Sequence, residues 1–306
     1  MTIKAKLSGV LAPILTPFTK DGAVDHTRYI THARWLLDNG CAGLVPFGTT
    51  GEASSISPGE RMEALDALVA AGIAPGQLLP GTGLCSLAET IELTRHATKL
   101  GCHGVLTLPP FYYKAVSDDG LYAYFAQLIE QVADDRLRLY LYHIPPIAGV
   151  GFSLDLVARL AHNFPDFVVG IKDSSGDWIN TAALLKHLPD FEIYPGSEVF
   201  LLDGLRQGAL GCITATANIN SRAISAVFEA YDSENANMLQ ADITKIRNII
   251  QKFPMVPALK FLLAHYHDDP DWGEPCAPLL ALSEVDGAAL LDAVHGFVLS
   301  ISNGSE

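Results

Sequence analysis

The 306-residue sequence has few of the features that mark several common classes of protein. Its five cysteines form no CxxC pair, which argues against a zinc ribbon, a redox motif or a disulfide-rich secreted fold. Scattered free thiols are typical of the reducing cytoplasm, where we expect the protein to reside. Basic residues are also scarce, 20 against 34 acidic ones, and no basic stripe indicates a nucleic-acid partner.

Long apolar runs and metal-binding spacings are missing as well. The first residues, MTIKAKLSGVLAPILTPFTKDG, contain two prolines and soon become polar, so the sequence predicts neither a signal peptide nor a membrane span. The ten histidines show no HExxH spacing, so we expect no metal site. With 49% hydrophobic residues, the chain can nevertheless bury a large core.

Short apolar runs recur along the chain, each followed by a polar turn and an amphipathic stretch. This alternation predicts parallel strands separated by helices. The strands are predicted over residues 10–16, 43–47, 78–82, 104–108, 138–142, 168–172, 192–196 and 211–215. Two helices carry clear end signals, one from Asp25 to Gly40 and one from Pro58 to Gly72. Eight such units indicate an α/β fold of the (β/α)8 TIM barrel type, with a doubly wound sheet as the alternative.

The chain is longer than such a barrel requires. The fold needs ~250 residues, so the segment after the eighth predicted strand is too long for one closing helix. Helical patterns occur at 220–231, 236–253, 257–267 and 286–301. We therefore expect the barrel over residues 1–218, and closing and additional C-terminal helices over 219–306, as a single structural unit.

The stretch GIKDSSGD, residues 170–177, ends a buried strand on a lysine. Active sites of these barrels lie at the carboxyl ends of the strands, which places Lys172 at the mouth. Lost hydration there would lower the pKa of the ammonium and leave a neutral amine that can form a Schiff base with a carbonyl carbon. In the alternative interpretation, Lys172 pairs with Asp173 or extends into solvent.

The preceding predicted strand ends on Tyr142, in RLYLYHIPP. Neighbouring strands bring Tyr142 and Lys172 within reach of one substrate, and a phenol beside an iminium ion can shuttle protons. A core ring with its hydroxyl in water is the alternative. His143 is a candidate for contact with a substrate hydroxyl or for proton transfer, or else a loop histidine with satisfied hydrogen bonds.

A third stretch, PFGTTGEAS, follows the second predicted strand. Gly48 and Gly51 allow the backbone to approach a ligand, and Thr49 and Thr50 offer donors suited to a carboxylate. The sequence therefore predicts a carboxylate-binding turn here, with a plain capped turn as the alternative.

Together these stretches resemble the dihydrodipicolinate synthase and N-acetylneuraminate lyase family, which are class I, Schiff-base-forming lyases. The resemblance is carried by GVLAPILTPF, GTTGE, PPFYY, the tyrosine before HIPP, GIKDSSGD and YPGSE…GCITATAN, which cover nearly the whole chain. It implies a (β/α)8 barrel with added C-terminal helices, no metal and no organic cofactor. It also implies a homo-oligomer, a homotetramer or a dimer.

The resemblance assigns roles to individual residues. Lys172 would form the imine with pyruvate or another 2-keto acid, and Tyr142 would be the general acid and base. Thr49 and Thr50 would bind the carboxylate and pass protons. Ile213 would face the site through its backbone carbonyl.

An aromatic residue of PPFYY is implied to enter the active site of a neighbouring subunit. Tyr112 matches that aromatic, with Tyr113 as the second choice.

Three positions depart from the best-known members of the family. The synthases carry an arginine five residues after the catalytic tyrosine, where it grips the carboxylate of the aldehyde, and this chain has Ile147. The N-acetylneuraminate lyases place an Asp-Glu pair after the glycine that corresponds to Gly196, and a serine near the end of strand eight. Here the residues are Ser197, Glu198 and Ala215, so one carboxylate remains to hold a polyhydroxylated chain.

We therefore expect an aldolase, dehydratase or synthase acting on pyruvate or a 2-keto acid, for which a 2-keto-3-deoxy sugar acid is a candidate. The co-substrate would be an aldehyde or a sugar acid. The alternatives are dihydrodipicolinate (4-hydroxy-tetrahydrodipicolinate) synthase itself, a metal-dependent aldolase and a non-catalytic barrel that binds keto acids.

Overall fold

The structure, a computed structural model, describes residues 6–304, so the outermost residues of the predicted 1–218 and 219–306 segments lie outside it. Seven strands lie within the described range. They are β1 (Gly9–Ala12), β2 (Gly43–Leu44), β3 (Val105–Thr107), β4 (Leu139–His143), β5 (Val168–Asp173), β6 (Glu192–Pro195) and β7 (Gly211–Ile213).

Twelve α-helices lie between and after these strands in the same range. They are α1 (His26–Asp38), α2 (Pro58–Ala70), α3 (Leu87–Leu100), α4 (Asp118–Val132), α5 (Pro145–Ala148), α6 (Leu154–Asn163), α7 (Trp178–His187), α8 (Leu201–Arg206), α9 (Ala217–Glu229), α10 (Ala236–Ile250), α11 (Met255–His267) and α12 (Glu284–Val294). None of the helices that the structure describes is both long and apolar enough to cross a bilayer.

The strands pair in parallel in two groups, ordered β2-β1-β7 and β3-β4-β5-β6. The predicted strand at 78–82 lies between the groups as two isolated bridges, Leu44–Leu78 and Gly81–Leu106. Pro80 explains the difference, since its carbonyl accepts from the Leu106 N–H at 2.9 Å but it has no N–H to return.

The two groups also meet between β6 and β7. There the Leu210 N–H donates to the Ile193 carbonyl at 3.1 Å and joins the segment before β7 to β6. The arrangement confirms the predicted (β/α)8 barrel with additional C-terminal helices.

The two predicted helix starts have side-chain caps. Asp25 accepts from the backbone N–H of Arg28 at the start of α1. Ser57 and Glu60 form a reciprocal capping box at the start of α2. These local signals are visible in sequence, which is why both helices were predictable.

The C-terminal helices form a second apolar core beside the barrel. It includes Ile250 of α10, Leu259 and Leu262 of α11, and Leu290 of α12, all fully buried. The predicted boundary after residue 218 lies in the first turn of α9 and remains a prediction.

Side chains alternate strictly along β4, and this alternation determines which residues enter the barrel. Tyr140 and Tyr142 belong to the interior cluster, whereas Leu139 and Leu141 belong to the cluster between strands and helices. Gly170 lies on β5, opposite Tyr140 of β4. A Cβ atom at Gly170 would lie 2.5 Å from the Tyr140 ring. Gly170 therefore makes room for the ring that lies below the Lys172 position.

Candidate active site

Lys172 lies on the inner face of β5, and its side chain is buried, with 4% exposed. β4 and β5 pair with Tyr142 opposite Lys172. The Lys172 amine donates to the Tyr142 hydroxyl at 3.3 Å and lies 4.4 Å from the centroid of the Tyr142 ring. Near the end of β5, the parallel register therefore gives the Lys172 amine a phenol as its neighbour.

Asp173 does not serve as the counter-ion of Lys172, because its side chain points the other way. Its carboxylate accepts from the backbone of Ser175 at 2.9 Å, from Asn180 at 3.0 Å and from the Thr181 hydroxyl at 2.7 Å. The alternative in which Lys172 pairs with its neighbour is therefore not the arrangement in the structure.

The turn after β2 brings a second hydroxyl to the pair. Thr49 Oγ1 lies 3.2 Å from the Tyr142 hydroxyl, and Thr50 is buried beside it. A Cβ at Gly51 would lie 2.8 Å from the carbonyl oxygen of Ile14, so this position of the turn requires glycine. The turn therefore passes closely over the segment that follows β1, with both threonines at the barrel mouth.

These side chains line a cavity of about 260 Å3. The structure brings eight of the predicted site residues together in its wall: Lys172, Tyr142, Thr49, Thr50, Ile147, Gly196, Ser197 and Ile213. A second cavity of about 300 Å3 adjoins it, contains Gly48 and shares Thr49, Tyr142, Ile144 and Ile147 with the first. Its additional lining is mainly apolar, and includes Leu106, Leu108 and Phe111.

His143 lies outside both cavities, contrary to its predicted contact with a substrate. The strand alternation that turns Tyr142 inward turns His143 outward. Its Nδ1 accepts from the backbone N–H of Phe152 at 2.9 Å, and burial lowers the pKa of the imidazole. It matches the alternative of a histidine with satisfied hydrogen bonds.

Glu198 also points away from the cavity, so the structure does not support its predicted place in substrate binding. Its carboxylate accepts from the hydroxyls of Thr214 and Thr216 and is 1% exposed. Gly196 and Ser197 remain at the cavity wall because the chain turns outward after them.

Tyr112 and Tyr113 lie on the outer surface, 74% and 73% exposed. Their rings contact each other edge to face, with centroids 5.4 Å apart. Neither ring lines the cavities of its own chain.

Arg247 of α10 lines the Lys172 cavity and was missed by the sequence reasoning. Its Nη1 lies 3.5 Å from Glu198 Oε2 and 3.4 Å from Thr214 Oγ1, and its buried Nε has no hydrogen-bond partner among residues 6–304. A buried acid such as Glu198 requires a cation nearby, and that requirement was the one available signal for an arginine.

Within residues 6–304 no cluster of three or more histidine, cysteine or acidic side chains is arranged to hold a metal ion. The polar groups of the cavity include an amine, hydroxyls, backbone groups and one guanidinium, and Asp173, whose carboxylate bonds to Ser175, Asn180 and Thr181, also contributes to the wall. Such groups suit a carbonyl compound that carries a carboxylate.

Comparison with known proteins agrees with this geometry. An uncharacterized DapA-like lyase of Chloroflexus aurantiacus is 36% identical over 290 residues, covering 94% of this chain and 95% of that one. The crystal structure of a dihydrodipicolinate synthase from Agrobacterium tumefaciens superposes with a TM-score of 0.87 at 36% identity, covering 94% and 98% of the two chains. A variant of the 2-keto-3-deoxygluconate aldolase of Sulfolobus solfataricus gives 0.84 at 25% identity, covering 94% and 95%.

By fold, the protein belongs to the class of TIM-barrel aldolases and related lyases. More narrowly, it belongs to the dihydrodipicolinate synthetase family, whose model matches residues 6–289. The two solved relatives carry the names of different reactions at nearly equal similarity of fold, so the family does not select the substrate.

Proposed function

We propose that this protein is a class I lyase in which Lys172 forms a Schiff base with pyruvate or another 2-keto acid. The observation that carries the proposal is the buried amine of Lys172, 3.3 Å from the Tyr142 hydroxyl in the wall of a cavity. A desolvated amine beside a proton carrier is what condensation with a ketone requires.

Different side chains carry out carboxylate binding, attack on the keto carbon and proton transfer. The substrate carboxylate binds at the turn of Thr49 and Thr50, which directs the keto carbon toward Lys172. The amine attacks that carbon, Tyr142 carries the amine proton to the alkoxide oxygen, and water leaves to give the imine. Tyr142 then serves the proton transfers at the neighbouring carbon, with Thr49 as its hydrogen-bond partner.

For the part of the substrate beyond its 2-keto acid group, we propose a polar chain, as in a 2-keto-3-deoxy sugar acid. Ser197, Ser174 and Arg247 also line the Lys172 cavity and offer hydrogen bonds to hydroxyls and to an acidic end. Ile147, 67% exposed at the rim, supplies no such bond. The dihydrodipicolinate synthase reaction itself is the second candidate, favoured by the 36% identity to a solved synthase.

The test measures pyruvate released from 2-keto-3-deoxy sugar acids, and pyruvate consumed with polyhydroxy aldehydes or with an aldehyde that carries a carboxylate. We expect turnover with the sugar acids, and none in Lys172→Met. Consumption only with the carboxylated aldehyde assigns the synthase reaction. Full turnover by Lys172→Met, or loss of turnover on chelation, contradicts the proposal.

The assembly we propose is a cytoplasmic homo-oligomer, a homotetramer or a dimer. The exposed pair Tyr112 and Tyr113 supports it, because two adjoining aromatic rings on the surface are typical of contact sites. The mass of the native protein in solution tests it, and a monomer at micromolar concentration contradicts it.

A further inference from the structure

A fully buried ion pair lies next to the turn that carries Thr49 and Thr50. Lys260 Nζ of α11 is 2.5 Å from Glu52 Oε1, and the two side chains are 0% and 1% exposed. Burial lowers the pKa of Lys260 and raises that of Glu52, while each group opposes the shift of the other. Nothing in the proposed chemistry uses either charge.

The pair connects the turn to the C-terminal segment through further bonds. Glu52 Oε2 accepts from the backbone N–H of Cys276 at 2.7 Å. Lys260 Nζ donates to the Glu274 carbonyl at 3.0 Å and lies 4.5 Å from the centroid of the Phe18 ring. The carboxylate of Glu52 is therefore held from two sides by residues outside the barrel.

The backbone of the turn depends on this anchor. Phe47 and Glu52 both have left-handed φ angles, 57° and 54°, although neither is glycine. Between them, the Glu52 N–H donates to the Thr49 carbonyl at 3.1 Å, and the Ala53 N–H donates to the Gly48 carbonyl at 3.2 Å. A disfavoured conformation of this kind persists where surrounding contacts impose it, and the buried carboxylate of Glu52 supplies them.

A buried ion pair is poor evidence of stabilisation, because desolvation opposes the attraction of the charges and an apolar pair often replaces them at no loss. Such a pair can instead fix the conformation of the backbone segments that it joins. Resting on the proposed function, we propose that Glu52 and Lys260 are positioning residues, which hold the turn so that Thr49 and Thr50 can bind the substrate carboxylate.

The test compares Glu52→Gln, Lys260→Met and the double variant E52Q/K260M with the wild type. Borohydride trapping at increasing pyruvate concentration gives the half-saturating concentration and the maximal rate, and thermal unfolding gives the stability. In the double variant, where no unpaired charge remains, we expect stability near that of the wild type. We also expect a half-saturating pyruvate concentration raised by roughly 10- to 100-fold, with the maximal trapping rate retained.

The ion pair of Arg138, the residue before β4, with Glu192 of β6, 2.7 Å apart, provides a control, because the Glu192 side chain is 5% exposed and that of Arg138 17%. Glu192 and Arg138 line neither of the two cavities at the barrel mouth, so Glu192→Gln should lower stability without changing the pyruvate concentration required.

A folded double variant with unchanged pyruvate dependence overturns the inference, as does a double variant that fails to fold, because the pair then serves stability alone. If the wild type itself traps no 2-keto acid, the proposed function fails first, which separates the two outcomes.

Discussion

The Lys172 amine and the Tyr142 hydroxyl lie 3.3 Å apart because β4 and β5 pair with these two residues directly opposite each other. The 3.2 Å contact between Thr49 and Tyr142 extends the pair to three polar groups from three strand ends. Substrate carboxylate, ketone carbon and migrating proton can thus each meet a different side chain.

The hydroxyl of Tyr142 is expected to matter for turnover more than for the covalent step. Tyr142→Phe keeps the ring over Lys172 but removes the proton carrier, so kcat should fall by ~10²–10⁴-fold. The rate of borohydride trapping with pyruvate, measured in parallel, should fall but not vanish. An unchanged kcat would remove Tyr142 from the acid and base role.

Thr49 should act through its hydroxyl. Thr49→Val preserves the shape of the side chain and removes one hydrogen bond to Tyr142, and we expect a loss of kcat of about tenfold, equivalent to about 1.4 kcal/mol. Thr94→Val is the matched control, because the buried Thr94 hydroxyl bonds to Thr82, outside the Lys172 cavity. Equal losses of kcat in the two variants would argue for a general packing effect.

Arg247 should distinguish substrates by the charge of their far end, which is the end opposite the 2-keto acid group. Its guanidinium lies in the wall of the Lys172 cavity, so an acidic group of the substrate can pair with it. Arg247→Leu should raise KM by about 10- to 100-fold for substrates with an acidic far end and much less for neutral analogues. Arg247→Lys should recover part of this preference, and an equal rise for both substrate types contradicts the assignment.

The buried His32 should make stability depend on pH. Burial lowers its pKa from 6.5 to about 4, and its Nε2 lies 3.0 Å from the Asn218 side-chain oxygen. In the unfolded chain, His32 therefore binds a proton below about pH 6.5, whereas in the folded protein it stays neutral until the pH approaches 4. The stabilisation is complete above that pH and is lost as the pH falls toward 4, by about 3 kcal/mol in total.

Denaturant unfolding at several pH values measures this loss, with His32→Gln as the control variant. His267, which is nearby and whose pKa burial also lowers, is retained in both proteins, so the difference in slope isolates His32. Identical pH dependence in the two proteins would show that His32 is not the group responsible.

Sequence was sufficient for the parts of the site that follow from strand order. Lys172, Tyr142 and Thr49 each come directly after a recognisable apolar run, and parallel strands in a barrel bring such positions together. The third strand was predicted over 78–82, but Pro80 reduces it to isolated bridges. His143 could have been excluded from sequence, because adjacent residues of a strand face opposite sides.

The side chains that the C-terminal helices bring to the candidate site and its turn were not predictable from the sequence in the same way. Arg247 and Lys260 occupy ordinary positions on amphipathic helices, and no motif marks them. Their contacts depend on how α10 and α11 pack against the barrel, which is a property of the tertiary structure. Glu198 was assigned to the substrate because its sequence position matches, whereas its rotation toward Thr214 depends on the same packing.

The most direct test is to locate the covalent adduct. Wild-type protein is reduced with borohydride in the presence of pyruvate, digested, and its peptides are weighed. The account predicts the mass of a reduced pyruvate imine on Lys172, and none on Lys260, the other lysine that is buried within residues 6–304. An adduct on another lysine, or an unmodified Lys172 after complete reduction, would contradict it.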